Sequence, residues 1–209
     1  MSAFRLKHDP YNLIITGVGG QGNVLASRMV GDVLSNQGFD VTVGETFGAS
    51  QRGGSVMSHL RISTQGNKSP QIPKGHGHMV ISLEPIEAIR VLLDYGNPVV
   101  KVITNTHPIH PISVICGDEA YPDHDRITRW LNNLSQKSWL INTTEKAAKL
   151  GNPIFSNVIM VGALSATGEL PLTAKDFEKV IRQRMSRDKV AINMKAFEIG
   201  SSLLEPTTS

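Results

Sequence analysis

Apolar positions in this chain come in two rhythms. Residues 12–16, centred on Leu13-Ile14-Ile15, and the runs at 79–83 and 98–104 are short and nearly continuous, the pattern of strands covered on both faces. Further strands are predicted at 40–44, 55–63, 111–115 and 138–142. Between them the period lengthens to that of a helix. From Asn23 to Leu34 the apolar side is Val24, Leu25, Ala26, Met29, Val30, Val33 and Leu34, giving a helix over 23–36. Helices follow at 84–95, 123–136, 144–150, 154–167, 174–186 and 188–204. Two carry start signals: Asn142 with Glu145, and Thr173 with Asp176, each a capping pair.

Strand and helix alternation predicts the α/β class: a mostly parallel, Rossmann-like sheet with helices on both faces. After Gly151-Asn152-Pro153 every segment reads as helix, so a helical C-terminal layer is expected. The stretch 154–166 is apolar nearly all round, which places it inside the fold or in a subunit interface. At 209 residues one domain, 1–209, suffices, with 1–10 and 205–209 as loose tails.

The chemistry gathers at glycines. The first strand runs into Gly17-x-Gly19-x-x-Gly22, and the helix opens at once with Asn23. Unpaired N–H groups at the positive end of a helix dipole bind anions. In this pattern Gly17 takes the tight turn, Gly19 and Gly20 with Gln21 let the backbone approach a ligand, and Gly22 permits close packing. Glu45, closing the second strand, stands where a dinucleotide-binding protein places its ribose-binding acid. A second cluster, Gln51-Arg52-Gly53-Gly54-Ser55, follows that strand, and loops after strands one and two of a parallel sheet share an edge. Arg52 offers five fixed donors for phosphate or carboxylate, with Gln51 and Ser55 adding more. Two plainer readings stand beside these: a turn whose glycines serve packing only, and a hairpin-like turn with a solvated Arg52.

Composition narrows the classes. Hydrophobic residues at 40% and charged residues at 19% describe a globular chain, and the net charge of +3 is scattered. With 5% aromatics and no basic run, nucleic-acid binding is not expected. One cysteine, Cys116, cannot form an internal disulfide or hold an iron–sulfur cluster; in the apolar run 112–116 it reads as a small buried hydrophobe. His76-Gly77-His78 supplies too few ligands for a metal, and His59, His107 and His110 read as structural or surface residues. No apolar stretch suits a signal peptide or a membrane span of about 20 residues, so the expected location is cytoplasmic.

Taken together, residues 15–22, Gly44-Glu45-Thr46-Phe47-Gly48 and 50–56 resemble the gamma-type subunit or domain of 2-oxoacid:ferredoxin oxidoreductases. Residues 82–88 (with Glu84-Pro85), the strand end Thr104-Asn105 and residues 193–200 are similar to the small beta subunit of its indolepyruvate branch. The likeness spans about 12–202; Gly75-His76-Gly77-His78 departs from the family's Gly-x-Ala-Asp. The resemblance implies a subunit inactive alone and without catalytic residues or metal of its own. It implies a large alpha partner carrying thiamine diphosphate with magnesium and [4Fe-4S] clusters, ferredoxin as acceptor, and coenzyme A as acyl acceptor. Gly17, Gly19, Gly20, Gln21, Gly22, Asn23 and 51–55 would face that active site. Two alternatives remain open: a free-standing NAD- or FAD-type nucleotide-binding protein, and a non-catalytic assembly module docking through 154–166 and the C-terminal helices.

Overall fold

Every residue of the first strand, Tyr11–Val18 (β1), is buried, as a continuous apolar run requires when both sheet faces are covered. The computed structural model describes residues 4–48 and 54–204. In chain order β1 is followed by α1 (Asn23–Asn36), β2 (Asp40–Phe47), β3 (Ser55–Ser63), β4 (Met79–Ser82), α2 (Pro85–Tyr95) and β5 (Lys101–Asn105). Then come α3 (Ile112–Ile115), α4 (His124–Leu134), β6 (Lys137–Ile141) and α5 (Thr143–Lys149). A 3-10 turn, Pro153–Phe155, leads into α6 (Ser156–Ala166), α7 (Ala174–Arg184) and α8 (Arg187–Ser202).

The six strands form one sheet in the order β2-β3-β1-β4-β5-β6. β1, β4, β5 and β6 pair in parallel, while β3 lies antiparallel between β1 and β2. The reason is length: the connection 48–54 is shorter than the dozen or so residues a parallel crossover needs, so β2 and β3 close as a hairpin. Hairpin and shared edge therefore coexist, because β2 still points the same way as β1.

Alternate residues along the strands feed two cores. Leu13, Ile15, Met79, Ile81 and Ile103 face α1, α6, α7 and α8; Ile14, Val80 and Val102 face α2 and α4. The all-apolar helix α6 is buried within the fold rather than offered to a partner. It crosses α8 so closely that a Cβ at Gly162 would lie 2.0 Å from the Phe197 carbonyl oxygen, and one at Gly200 1.9 Å from that of Ile159. The docking face expected at 154–166 is thus covered by the chain's own C-terminal layer; within it only the end residue Ile154 stays substantially exposed.

Both capping pairs form: Glu145 N–H donates to Asn142 Oδ1 at 3.0 Å, and Asp176 N–H to Thr173 Oγ1 at 3.2 Å. Three expectations fail. Residues 111–115 are no strand; Pro111 caps the short helix α3, and Ile112 and Ile115 are 78% and 72% exposed. Prolines at 108 and 111 cannot donate to a sheet ladder, so apolar content alone misled the reading. Cys116, expected to be buried, follows α3 into solvent. The segment before β1 is also tied down where a loose tail was expected: Lys7 pairs with Glu169, and Asp9 accepts from Ser63 Oγ at 2.6 Å. No helix among the described residues is long and apolar enough to cross a membrane.

Candidate functional site

Between β1 and β4 the chain's connections turn in opposite directions, to β2 on one side and β5 on the other. Open α/β sheets bind ligands at this switch point, beyond the carboxyl ends of the strands. The glycine turn sits there. The left-handed conformations belong to Gly20 (φ 102) and Gly22 (φ 85), not to Gly17, which remains in β1. Gly17 is glycine for a different reason: its Cβ would lie 2.6 Å from Gln21 Oε1 and 3.1 Å from Leu83 Cβ. Gly22 packs against α6 rather than β1, since a Cβ there would meet Asn157 Nδ2 at 2.2 Å. Among the described residues nothing lies within 4 Å of such a Cβ at Gly20.

Gln21, expected to face a ligand, is largely occupied by the fold. Its Oε1 accepts from Val18 N–H at 2.7 Å and its Nε2 donates to the Leu83 carbonyl at 2.8 Å, tying the β1 turn to the β4 turn. Asn105 joins the same carbonyl through Nδ2 (3.2 Å), while its Oδ1 accepts the Thr143 N–H at the start of α5. This rigid floor leaves the first turn of α1 unsatisfied. Gly22 caps the helix with no side-chain bond, and Ala26 is the first residue to donate back. The N–H groups of Asn23, Val24 and Leu25 have no partner among the described residues. Asn23 is 3% exposed, and its Oδ1 is buried without a hydrogen-bond partner among the described residues. Beside it opens a cavity of about 410 Å³ lined by Gly19, Gly20, Gly22, Asn23, Val24, Phe47 and Val56.

The two glycine loops do meet: Gly19 N–H donates to the Gly54 carbonyl at 2.8 Å. Ser55 begins β3 opposite Val18, and its hydroxyl donates to Glu87 Oε2 at 2.6 Å, so it too is taken. Gln51, Arg52 and Gly53 lie outside the described residues. On the other side of the turn a second cleft, about 430 Å³, is lined by Gly20, Gln21, His107, Ile109, Thr144 and Ile154 among others.

Sequence reasoning missed Glu84. It sits in the β4–α2 corner, 2% exposed, and caps α2 by accepting Glu87 N–H at 2.9 Å. Its other oxygen accepts the Tyr121 hydroxyl and the Ile109 N–H. Burial pushes its carboxyl upward, against the pull of those hydrogen bonds. The signal was present in Glu84-Pro85 with Glu87 behind it, a cap followed by proline at the first helical position. Asn157, reaching Gly22 from 135 residues away, carried no local signal.

Other candidates recede. β3 separates β2 from β1, so Glu45 stands two strands, about 10 Å, from the glycine turn. It lies within β2 near Arg28 (3.8 Å) rather than at a strand end beside β1, which removes the acid a dinucleotide site needs. His78 Nδ1 accepts Asn12 N–H at 2.9 Å, and His59 Nδ1 accepts Ile72 N–H, both structural roles. No group of three or more His, Cys, Asp or Glu among the described residues is placed to hold a metal ion.

A mostly parallel sheet with a glycine turn at its switch point and helices on both faces defines a Rossmann-like α/β domain. Residues 12–203 match the family model "Pyruvate ferredoxin/flavodoxin oxidoreductase", and the chain belongs to that family. It is 38% identical over 191 residues to the indolepyruvate oxidoreductase subunit IorB of Pyrococcus horikoshii, covering 91% of this chain and 94% of that one. Its fold matches the gamma subunit of a keto/oxoacid ferredoxin oxidoreductase from Geobacter sulfurreducens with TM-score 0.65 and 21% identity, over 92% and 97% of the two chains. It also matches 32% of a longer chain, with 96% of its own length, TM-score 0.72 and 16% identity. That structure is 2-oxoglutarate:ferredoxin oxidoreductase from Magnetococcus marinus with 2-oxoglutarate, coenzyme A and succinyl-CoA bound.

Proposed function

We propose that this chain is the small, single-domain subunit of a cytoplasmic arylpyruvate:ferredoxin oxidoreductase of the indolepyruvate type. The carrying observation is similarity along almost its whole length to a subunit of such an enzyme. Its donor set agrees with a divided labour. One cysteine, exposed on a surface turn, cannot ligate a cluster, and the sequence has no Gly-Asp-Gly stretch of the thiamine-binding type; both features support assigning those sites to a large partner subunit. Bound there, thiamine diphosphate with magnesium would supply the decarboxylation chemistry, the clusters electron transfer to ferredoxin, and coenzyme A the acyl acceptor.

This chain's part is to present the edge formed by Gly19–Asn23 and the 51–55 loop to that active site. Three vacant N–H groups at the start of a 14-residue helix, beside a cavity of about 410 Å³, suit an anionic group such as a phosphate of coenzyme A. Gly17 and Gly22 hold the turn in place, and Gln21 fixes it to β4. Reconstitution tests the reading. The purified chain alone should not oxidise arylpyruvates. Turnover should appear with the large subunit, thiamine diphosphate, magnesium, coenzyme A and a ferredoxin or viologen acceptor. Turnover by the chain alone, with the partner shown to be absent, contradicts it.

A further inference from the structure

Residues 106–122 connect β5 to α4 along the same edge as the glycine turn, and none of them is buried. Internally the segment is organised: α3 and its following turn bond to themselves, with Cys116 N–H donating to Ile112 O at 2.8 Å and Ser113 Oγ to Glu119 Oε2 at 2.9 Å. Its ties to the rest of the domain are few. Thr106 N–H donates to Ile141 O near one end; the other two hydrogen bonds seen among the described residues, from Ile109 N–H and Tyr121 OH, converge on a single carboxylate oxygen of Glu84. Of this segment Tyr121 packs against the second core, but the rest of it spans an open cleft. A cavity of about 150 Å³ lies beneath it, lined by Pro85, Thr104, Pro108, Tyr121, His124 and Leu140. On its other flank His107 and Ile109 form one wall of the cleft whose opposite wall holds Gly20, Gln21 and Ile154.

Apart from Tyr121 and the Thr106 bond near β5, such a segment has little packing to lose when it moves, and both of its other hydrogen bonds to the domain among the described residues end on one carboxylate. We propose that residues 106–122 form a strap over the switch-point edge, and that Glu84 is the positioning residue that latches it through Ile109 and Tyr121 and so sets the width of the cleft. Glu84 suits the task because its second oxygen is held by α2. The latch is therefore fixed to the sheet through a helix start instead of hanging from a free side chain. Opening the strap moves the His107–Ile109 wall away from Gly20; latching it holds the cleft at the width seen here. The role in catalysis rests on the proposed function, while the latch itself is a property of this chain alone.

Tyr121→Phe keeps the ring and removes one of the two donors. In the full-length chain, amide hydrogen exchange at Ile109 and across 113–119 should quicken at least tenfold in this variant, with β4 and β5 amides within twofold of wild type. In the reconstituted complex the same variant should raise the KM for coenzyme A or the 2-oxoacid more than it lowers kcat. Glu84→Gln keeps one acceptor oxygen but sets an NH2 donor against either the Glu87 N–H or the two strap donors, so exchange should quicken at Glu87 or at Ile109; unchanged exchange at both overturns the latch. Unchanged exchange at Ile109 overturns the latch. So does faster exchange spread equally through β4 and β5, which makes Glu84 and Tyr121 part of the general fold. A loosened strap with unaltered KM overturns its positioning role. If the wild-type complex shows no 2-oxoacid activity, the proposed function fails, and the exchange arm still decides the latch.

Discussion

The two edges of this sheet are built on opposite principles. At the amino-terminal edge Glu169, 5% exposed, accepts from Lys101 Nζ at 2.6 Å, Lys7 Nζ at 2.8 Å and Tyr11 OH at 3.2 Å. Beside it the rings of His8 and His78 stack with centroids 4.1 Å apart. Both carboxylate oxygens there have partners inside the chain. At the carboxyl-terminal edge, among the described residues, the first helix amides have no partner, Asn23 Oδ1 is buried unpaired, nothing lies near a Cβ at Gly20, and Phe47 is 53% exposed. Among the described residues, then, the carboxylate at the first end is fully partnered within the chain, while helix amides and a buried amide oxygen at the second are not.

Breaking the closed edge should cost stability and little else. Glu169→Ala strips two lysines and Tyr11 of their acceptor. We expect a loss of about 2–3 kcal/mol in urea unfolding, below the roughly 3–5 kcal/mol of a fully buried pair because Lys7 is exposed. Activity of the assembled complex, per folded subunit, should stay near wild type.

The glycine turn should divide by position. Gly22→Ala meets both a left-handed φ and Asn157, so destabilisation of about 2–3 kcal/mol is expected from strain plus overpacking. Gly20→Ala meets only the unfavourable φ, about 1–2 kcal/mol, yet places a methyl group where the reacting partner is expected. Its loss of complex activity should therefore exceed what its stability explains; equal proportional losses in both variants would make the whole turn structural.

Acid should loosen the closed edge first. Burial, then the nearby His8 and His76, push His78 down to about 4 from its ordinary 6.5. The unfolded chain takes up that proton first, so this contribution to stability is full above pH 6.5 and falls progressively as pH drops towards 4. Glu169 adds to the loss lower down. Burial alone would raise it, but its bonds to Lys101 and Lys7 win and hold it below the ordinary 4.5, so its stabilisation disappears as pH falls through its folded value. Unfolding midpoints between pH 7 and 4 should decline in wild type, and less in a His78→Asn variant. A flat profile contradicts this assignment.

Much of this was readable along the chain. Continuous apolar runs marked β1 and β4, capping pairs marked α5 and α7, and element bounds other than α3 fall within three residues of those expected. Meeting of the two glycine loops followed from strand direction, since Gly19 and Gly54 lie past the ends of elements on one edge. What escaped was long-range. Only the tertiary fold shows that Gly22 is glycine because Asn157 leans on it, or that Gly17 is glycine because Gln21 folds back over it. The strap was misread because Ile112 and Ile115 supply strand-like apolarity to a segment that the sheet never takes up. Glu84 was missed because one carboxylate serves as helix cap and latch together, and its second duty comes from Tyr121, 37 residues on.

The central claim is that the carboxyl-terminal edge meets the partner's active site, and amide exchange of this chain free and in the assembled complex tests it most directly. In the free chain the unpaired N–H groups of Asn23, Val24 and Leu25 should exchange quickly. On assembly with coenzyme A present they should slow at least tenfold, together with residues 54–56, while amides around Lys7, Lys101 and Glu169 stay unchanged. Protection confined to the Glu169 edge, with Asn23–Leu25 as fast as before, would contradict the account.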